Sequence, residues 1–291
     1  MKTKEKIALF ITLQMIFIPA FAQEKLVNAV DSLMLTGEYL GQKRPGNIPE
    51  LFAPGVISRP DYFEHSAALF SPDGKEVYWT AKANNQRDYK IFNMRMVNGV
   101  WTQPEVAGFC LANKYYQECI LSSDGKRLYF TDGSNWLFVE KQNDGWSTQN
   151  NVPQKITAGM DVNICSVTNS GSIYFIKRPE YDVYISRAVK GNYNAPEKLS
   201  KQINSVETRE NRVYVSPDES YMIIEATADA ATCELFVSFR DQDNSWTERK
   251  KLPIIWGRFP SVSPDGKYLF FMTREGIYWV SVKIIEELKD K

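Results

Sequence analysis

The pentapeptide Ser71-Pro-Asp-Gly-Lys75 decides the fold, because the chain repeats it. Ser263-Pro-Asp-Gly-Lys267 is identical, Ser122-Ser-Asp-Gly-Lys126 and Ser216-Pro-Asp-Glu-Ser220 are close variants, and Thr168-Asn-Ser-Gly-Ser172 is a more divergent copy. The copies follow one another at intervals of about 45 to 50 residues, a spacing typical of repeat proteins. A repeating fold is therefore predicted before any other feature is considered.

Each copy has the composition of a tight turn between two strands. In 71–74, proline presets the backbone at the second position, aspartate suits the third, and glycine takes the left-handed conformation that closes a hairpin. The segments after the turns are rich in β-branched and aromatic residues, as strands are. These second strands are predicted at 76–79, 127–130, 173–176, 221–224 and 268–271.

A second hairpin follows the first in each repeat. Its leading strands are predicted at 90–94, 136–139, 182–186, 234–238 and 276–281. After most of them come a polar turn, an aromatic residue and a short polar fourth strand. Four antiparallel strands per repeat predict an all-β fold, the β-propeller, with one blade per repeat.

The repeats predict a five-bladed propeller. The fifth repeat ends after its third strand, and the unassigned segment 51–57 is predicted to supply the fourth strand and close the ring. Six blades, the alternative, would need a further blade before residue 60, where the sequence instead predicts an amphipathic helix and a linker rich in glycine and proline. The apolar stripe of that helix comprises Leu26, Val30, Leu33 and Met34.

The first 22 residues have the pattern of an export signal. Three lysines precede the apolar run 7–21, and Ala20-Phe21-Ala22 fits the cleavage rule. We therefore expect cleavage near Ala22 and a periplasmic or secreted protein. No later apolar run has the ~20 residues of a membrane span. The predicted organisation is a signal peptide at 1–22, a helix and linker at 23–49, the propeller at 50–285 and a tail at 286–291.

Composition narrows the functional classes. Lys plus Arg and Asp plus Glu are balanced at 35 each, so binding of nucleic acid is not expected. The four cysteines form no C-x-x-C motif, and buried free thiols are favoured over bridges. They are Cys110, Cys119, Cys165 and Cys233. We expect a monomer with no cofactor.

The hairpins resemble the WD40-like repeats of TolB-like propeller proteins across 50–285. The resemblance rests on stretches such as 52–58, 64–79, 216–226 and 263–288, which are similar to those of exported, single-domain bacterial members. It implies a propeller fold but no particular activity, because the motif describes a turn. The copy at Thr168 departs from the pattern, since it lacks proline and aspartate and keeps only Gly171.

Candidate site residues lie upstream of the turns, where the first strand of each blade lines a propeller's central channel. Five residues before each turn the side chains are all polar: Ser66, Gln117, Asn163, Asn211 and Arg258. Six and seven residues before it stand Glu64, His65, Tyr115, Tyr116, Asp161, Arg209, Glu210 and Trp256. We expect the second set to form the mouth of the channel.

Three interpretations of this region remain open. In the first, the side chains of the polar ring form hydrogen bonds with water in the channel and with one another. Alternatively it is a pocket in which Trp256, Tyr115, Tyr116 and Phe259 stack on a sugar or other ring while Glu64, Asp161, Glu210 and Arg258 fix its polar groups. In the third, the carboxylates and Asn163 bind calcium through hard oxygen ligands.

Catalysis is restricted by the single histidine, His65. A site of several histidines is excluded, and no G-x-S-x-G motif accompanies a serine triad. A glycoside hydrolase using Glu64, Glu118, Asp161 and Glu210 is the alternative function. The leading hypothesis is a non-catalytic binding module. Its partner is either an envelope protein, contacted through 81–89, 177–181 and 226–233, or a glycan or small molecule at the channel mouth.

Overall fold

The computed structural model describes residues 34–143, 145–229 and 232–289. The predicted signal peptide and the predicted helix lie outside these residues, except for Met34, which is exposed and belongs to no helix. The described chain forms five four-stranded antiparallel blades arranged as a β-propeller. The fold predicted from the repeats is confirmed.

The strands follow the repeats closely. Strand β1 is Glu50–Leu51. Blade 1 contains β2 (Tyr62–Glu64), β3 (Leu69–Phe70), β4 (Glu76–Ala83), β5 (Lys90–Val97), β6 (Val100–Trp101) and β7 (Glu105–Val106). Blade 2 contains β8 (Gln117–Leu121), β9 (Arg127–Thr131), β10 (Trp136–Gln142), β11 (Gly145–Trp146) and β12 (Asn150–Asn151).

The remaining blades have the same plan. Blade 3 contains β13 (Val162–Val167), β14 (Ile173–Lys177), β15 (Asp182–Ser186), β16 (Ala188–Val189), β17 (Asn192–Tyr193) and β18 (Glu197–Lys198). Blade 4 contains β19 (Arg209–Val215), β20 (Tyr221–Thr227), β21 (Glu234–Phe239) and β22 (Lys250–Lys251). Blade 5 contains β23 (Arg258–Val262), β24 (Tyr268–Thr273) and β25 (Gly276–Ser281). Short helices lie at Glu38–Gly41 (3₁₀), Gln154–Thr157 (α1) and Lys283–Glu286 (α2).

The ring is closed by the N-terminal strand, as predicted. Strand β1 pairs antiparallel with β25 and completes blade 5 in the order β1-β25-β24-β23. The Phe52 N–H extends the pairing by donating to the Ile277 carbonyl at 2.8 Å. The strand is shorter than the predicted 51–57, because the chain turns back where the Ala53 carbonyl accepts from the Ile57 N–H at 2.9 Å.

The hydrophobic core is divided among the five junctions between neighbouring blades. The blade 3 and 4 junction, for example, contains Ile185 and Ile224, both fully buried. The junction of blades 5 and 1 also takes in Phe52 from the closing segment and Tyr39 from the segment before it. Because each cluster is shared, every blade depends on both neighbours for its core.

The segment before β1 packs on the propeller. The Trp101 Nε1–H donates to the Gly37 carbonyl at 2.8 Å, and the Tyr39 ring meets Phe70 edge-on with centroids 5.3 Å apart. All four cysteines are free thiols, and only Cys110 among them is half-buried rather than buried. In the part of the chain that the structure describes, no helix is both long and apolar enough to span a membrane.

Candidate functional site

The inner strands of blades 2 to 5 all contain a β-bulge in their upstream half. The register shifts between Gln117 and Ile120 in blade 2 and between Arg258 and Ser261 in blade 5. Blades 3 and 4 have the same irregularity after Ile164 and Glu210. An extra residue re-aims the side chains around it, so the bulge decides which residues reach the channel.

Two bulge residues have left-handed backbone although neither is glycine. Glu118 has φ 60° and Phe259 has φ 51°, and both stand four residues before the turn of their repeat. This conformation is costly for residues with a β-carbon and persists only where the surroundings enforce it. The side chains of both residues line the axis of the ring.

An ion pair crosses that axis. The Glu118 carboxylate in blade 2 contacts the guanidinium of Arg212 in blade 4, and these blades are not neighbours. The Phe259 ring of blade 5 lies 5.3 Å from the guanidinium carbon. Burial acts to lower the pKa of Arg212, but the negative charge of Glu118 raises this pKa above its usual range. We call Glu118, Arg212 and Phe259 the axial plug.

A second buried carboxylate holds the plug in position. Glu225 of β20 is fully buried and accepts the Phe259 N–H at 2.8 Å and the Arg258 Nε–H at 3.0 Å. The bulge in β23 removes Phe259 from the strand ladder, so its N–H needs another acceptor. Glu225 provides that acceptor from the neighbouring blade and fixes the left-handed turn.

A cavity of about 460 Å³ lies on one side of the plug. It extends from the plug to the face that carries the five repeat turns, which we call the turn face. Its lining includes serines and other polar residues from the strands and turns, together with apolar side chains one and two positions before the turns. The latter include Leu69, Phe70, Ile120, Leu121, Val167, Tyr214, Val215 and Val262. We call this space the axial cavity.

An aromatic cluster lies on the other side of the plug. The His65 ring packs 4.8 Å from Phe259 and 5.0 Å from Tyr89, whose ring lies 5.9 Å from Tyr115. Burial lowers the pKa of His65 to about 4, so the imidazole is neutral near pH 7. We call His65, Tyr89, Tyr115 and Arg258 the aromatic mouth. Two of its members, His65 and Tyr115, were predicted at the channel mouth, and Arg258 was predicted in the polar ring.

Other predicted mouth residues lie within the blades. Tyr116 is fully buried, and its hydroxyl accepts the Leu111 N–H at 3.1 Å. Glu64 is buried and accepts the Arg59 N–H at 3.4 Å, and burial raises its pKa to about 7. Their positions explain why the structure does not bring them to the aromatic mouth.

The remaining predicted residues have partners of their own. Glu210 is buried and accepts from Arg249 at 2.9 Å, while Asp161 is exposed and accepts from Arg178 at 2.5 Å. Trp256 is partly buried at the junction of blades 5 and 1.

The predicted polar ring is likewise divided. Ser66 is buried, and its hydroxyl accepts the Thr80 N–H at 2.8 Å. The Asn211 amide donates to the Thr227 hydroxyl at 2.6 Å. Gln117 and Asn163 are half-buried, and within the described ranges their side chains form no hydrogen bond.

Sequence reasoning missed Arg212, Tyr89 and Glu225 as site residues. Arg212 had a detectable signal, because it stands at the repeat position that Glu118 occupies with opposite charge. As for metals, no group of three or more His, Cys, Asp and Glu side chains is placed to hold an ion in 34–143, 145–229 and 232–289.

No protein-family model matches the chain, and the search of curated proteins found no match. Among solved structures, a candidate TolB from Agrobacterium tumefaciens is 16% identical with a TM-score of 0.46, over 73% of this chain and 70% of that one. TolB from Acinetobacter baumannii is 14% identical with a TM-score of 0.47, over 75% and 53%. A candidate 6-phosphogluconolactonase from Bacteroides uniformis is 14% identical with a TM-score of 0.39, over 72% and 63%.

The matched region covers less than two thirds of the last two structures. The structural neighbours include TolB, the group that the repeats resemble, and also an enzyme candidate. At these identities and TM-scores they define no function, and the five-bladed architecture rests on the chain's own strand pairing.

Proposed function

We propose that this protein is an exported, non-catalytic binding module that holds a small molecule in the axial cavity. The observation that carries the proposal is the cavity itself, with apolar and polar side chains in its walls and a charged floor at Glu118 and Arg212. Its volume of about 460 Å³ lies within the range of about 300 to 1,000 Å³ typical of small-molecule sites. The export signal predicted from the sequence would place the protein in the periplasm or outside the cell.

The rigidity of the cavity rim supports this proposal. Neighbouring turns are joined by backbone hydrogen bonds from Ser123 to Val167 at 3.1 Å and from Asn169 to Pro217 at 2.9 Å. A preformed site loses little conformational entropy when its ligand binds.

The contacts that the four candidate carboxylates make do not favour a hydrolytic function. Glu118 contacts Arg212 and Glu210 contacts Arg249, so both are paired with cations. Asp161 is paired with Arg178, and Glu64 accepts a backbone N–H. A glycosidase needs one carboxyl acid and a second carboxylate facing the same bond. We therefore propose binding as the function of the channel.

A thermal-shift screen tests the proposal. The panel contains oligosaccharides, peptidoglycan fragments, amphiphiles, and calcium against chelator. A ligand at 100 times its dissociation constant stabilises the fold by about 2.7 kcal/mol, which raises Tm by about 5 to 10 °C for a chain of this size.

A blocking variant locates the site. Val167→Trp places an indole in the axial cavity, whereas Val97→Trp alters an exposed position at the end of β5 in blade 1. We expect the first substitution to abolish the shift and the second to preserve it. A shift that survives Val167→Trp would place binding elsewhere and contradict the proposal.

A protein partner on the face opposite the turns is a second candidate, supported by exposed apolar side chains. Leu111, Val206 and Ile255 lie in the loops that lead into β8, β19 and β23, and they are 57%, 103% and 98% exposed. These three loops all reach the face opposite the turns. Exposed apolar residues on one rim are typical of protein docking sites.

Site-specific photo-crosslinking in the native envelope tests this candidate. A crosslinker at Val206 or Ile255 should capture one discrete partner. The same group at Val189, an exposed residue of β16 in the hairpin that β16 and β17 form toward the turn face, is the control. Equal capture at all three positions would argue against a docking surface.

A further inference from the structure

We propose that the side of the propeller carries a second ligand site, a groove between blades 1 and 2 that binds a neutral saccharide. This inference goes beyond the proposed function, because the groove shares no lining residue with the axial cavity. We call it the lateral groove, and its volume is about 820 Å³. Its walls include Asn93, Arg95 and Glu105 of blade 1 and Lys141, Trp146 and Thr148 of blade 2.

The lateral groove lies at a repeat position where blade 1 departs from the other four blades. In each blade, a third-strand residue pairs with the second-strand residue that packs toward the next blade. In blades 2 to 5 these third-strand residues are Phe138, Ile185, Val237 and Trp279, and all four belong to the hydrophobic cluster at the junction with the next blade. In blade 1 the equivalent residue is Asn93, which pairs with Tyr78. An amide therefore replaces an apolar side chain at the junction of blades 1 and 2.

Asn93 gives this junction hydrogen-bonding groups that the protein does not use. Its side chain is half-buried and forms no hydrogen bond with any described residue. A side-chain amide carries two N–H donors and a carbonyl acceptor, and such groups normally have partners where water is restricted. Thr148 lines the groove from blade 2, and its hydroxyl likewise has no partner among the described residues. Each wall therefore offers a neutral polar group to a ligand.

The charged side chains of the lateral groove balance one another. Glu76 accepts from the Lys141 ammonium at 2.5 Å, and Arg95 donates to Glu105 at 3.3 Å. Within the described chain, the lining of the groove contains two cations and two carboxylates, so it has no net charge that would select an ionic ligand. A hydroxyl group can accept from the arginine and donate to a carboxylate. A neutral ligand with several hydroxyl groups therefore matches the groove.

An aromatic side chain completes the walls. Trp146 is half-buried, its Nε1–H donates to the Tyr78 hydroxyl at 3.1 Å, and its ring meets Phe109 edge-on at 6.2 Å. The Lys141 ammonium lies 4.8 Å from the ring centroid. These contacts fix the indole before a ligand binds, so binding costs little conformational entropy. A saccharide ring carries C–H groups on its faces and hydroxyl groups at its edge, so it can contact the uncovered part of the indole and the polar walls together.

Isothermal titration with four hexasaccharides tests the ligand class. Maltohexaose, cellohexaose and N-acetylchitohexaose are neutral and differ in linkage or substituent, whereas the hexamer of galacturonate carries a carboxylate on each sugar. We expect at least one neutral hexasaccharide to bind at least tenfold more tightly than the galacturonate hexamer. Binding of none of the neutral probes, or equal affinity for the charged one, would overturn the inference.

Substitutions at Asn93 locate the saccharide. Asn93→Phe introduces the side chain that blade 2 has at this position, so it should fill part of the groove, restore the repeat packing and abolish binding. Asn93→Ala removes the amide without filling the groove and should weaken binding at least fivefold. Asn194→Phe, at an exposed asparagine of blade 3 whose side chain also has no described partner, is the matched control and should leave affinity unchanged. Far-UV circular dichroism confirms that each variant is folded.

The axial cavity provides the contrast that separates this inference from the proposed function. Val167→Trp, which blocks that cavity, should leave saccharide affinity unchanged because the two sites share no lining residue. Saccharide binding that Val167→Trp abolishes and Asn93→Phe preserves would overturn the lateral groove and support the proposed function. Loss of binding in Asn93→Phe alone would support the lateral groove, and the proposed function would then depend on a ligand of another class in the thermal-shift screen.

Discussion

The turn of blade 3 lacks the aspartate present in the other four turns, and Glu219 of blade 4 supplies a carboxylate in its place. In blade 1, Asp73 accepts from the Ser71 hydroxyl at 2.6 Å and from the Lys75 N–H at 3.1 Å. In blade 3 the Glu219 carboxylate accepts from Thr168 and Ser170, both at 2.9 Å. The divergent copy of the repeat is therefore stabilised by its neighbour.

Glu219→Gly tests this compensation with two opposing effects. Glu219 occupies the turn position where all of the other four turns have glycine, and its φ is 60°, so glycine would relieve backbone strain. The substitution also removes hydrogen bonds to a charged group, which contribute about 1.5 to 3 kcal/mol each. We expect a net loss of about 2 kcal/mol in the free energy of unfolding, measured by urea denaturation.

Asn244→Gly is the matched control for this experiment. Asn244 is also left-handed, with φ 64°, and it is exposed; its hydrogen bond with Arg240 uses only its backbone carbonyl. Glycine there should leave stability unchanged or raise it by up to about 1 kcal/mol. If Glu219→Gly behaved like Asn244→Gly, the inter-blade carboxylate would contribute nothing to stability.

Glu64 should make the stability of the protein depend on pH. Burial raises its folded-state pKa to about 7, above the ordinary value of 4.5, so the folded state favours the protonated carboxyl. Its stabilising contribution is full below pH 4.5 and is lost as pH rises through 7, a change of about 3 kcal/mol. Glu64→Gln should therefore unfold at higher urea than wild type at pH 8, with a smaller difference at pH 5.

Glu210→Gln provides the contrast for the Glu64 experiment. Glu210 is 1% exposed but accepts a hydrogen bond from Arg249 at 2.9 Å. Removing its charge takes the carboxylate from the half-buried Arg249, and a hydrogen bond between charged groups contributes about 1.5 to 3 kcal/mol. We expect this variant to be less stable than wild type at pH 8. A stabilised Glu210→Gln would mean that burial outweighs pairing at both positions.

At the scale of elements, the strands could be predicted from the sequence, whereas the contacts of the axial plug could not, although Glu118 and Phe259 were among the candidate site residues. The turn motif fixes where each hairpin bends, and β-branched and aromatic residues mark the strands beside it. The bulges in the inner strands of blades 2 to 5 have no such signal. One extra residue changes the side-chain direction, so Tyr116 turns into a blade junction while Glu118 reaches the axis.

The closing strand is another element that the repeat pattern identified. Its contribution can be measured at Phe52, which is fully buried and meets the Phe270 and Trp279 rings at centroid distances of 5.0 and 5.1 Å. Phe52→Ala should lower the free energy of unfolding by about 3 to 5 kcal/mol in urea denaturation. Phe63→Ala, at a side chain that is 39% exposed on β2, should cost less than about 1 kcal/mol. Equal losses would show that β1 does not secure the ring.

At the scale of the whole molecule, the division of the core among blade junctions predicts cooperative unfolding. Loss of one blade exposes two hydrophobic clusters and also opens the ring at two strand edges. No blade therefore has a core that would survive alone. Tryptophan fluorescence and far-UV circular dichroism should report the same transition midpoint in urea.

Substitutions at separate junctions make this prediction quantitative. Ile91 lies in the blade 1 and 2 cluster and Ile185 in the blade 3 and 4 cluster, and both are fully buried. Each change to alanine should cost about 2 to 5 kcal/mol, and the double variant should lose the sum to within about 0.5 kcal/mol, because the two sites share no cluster. A second transition in either single variant would instead show that blades unfold independently, and the shared junctions would then not account for the stability of the ring.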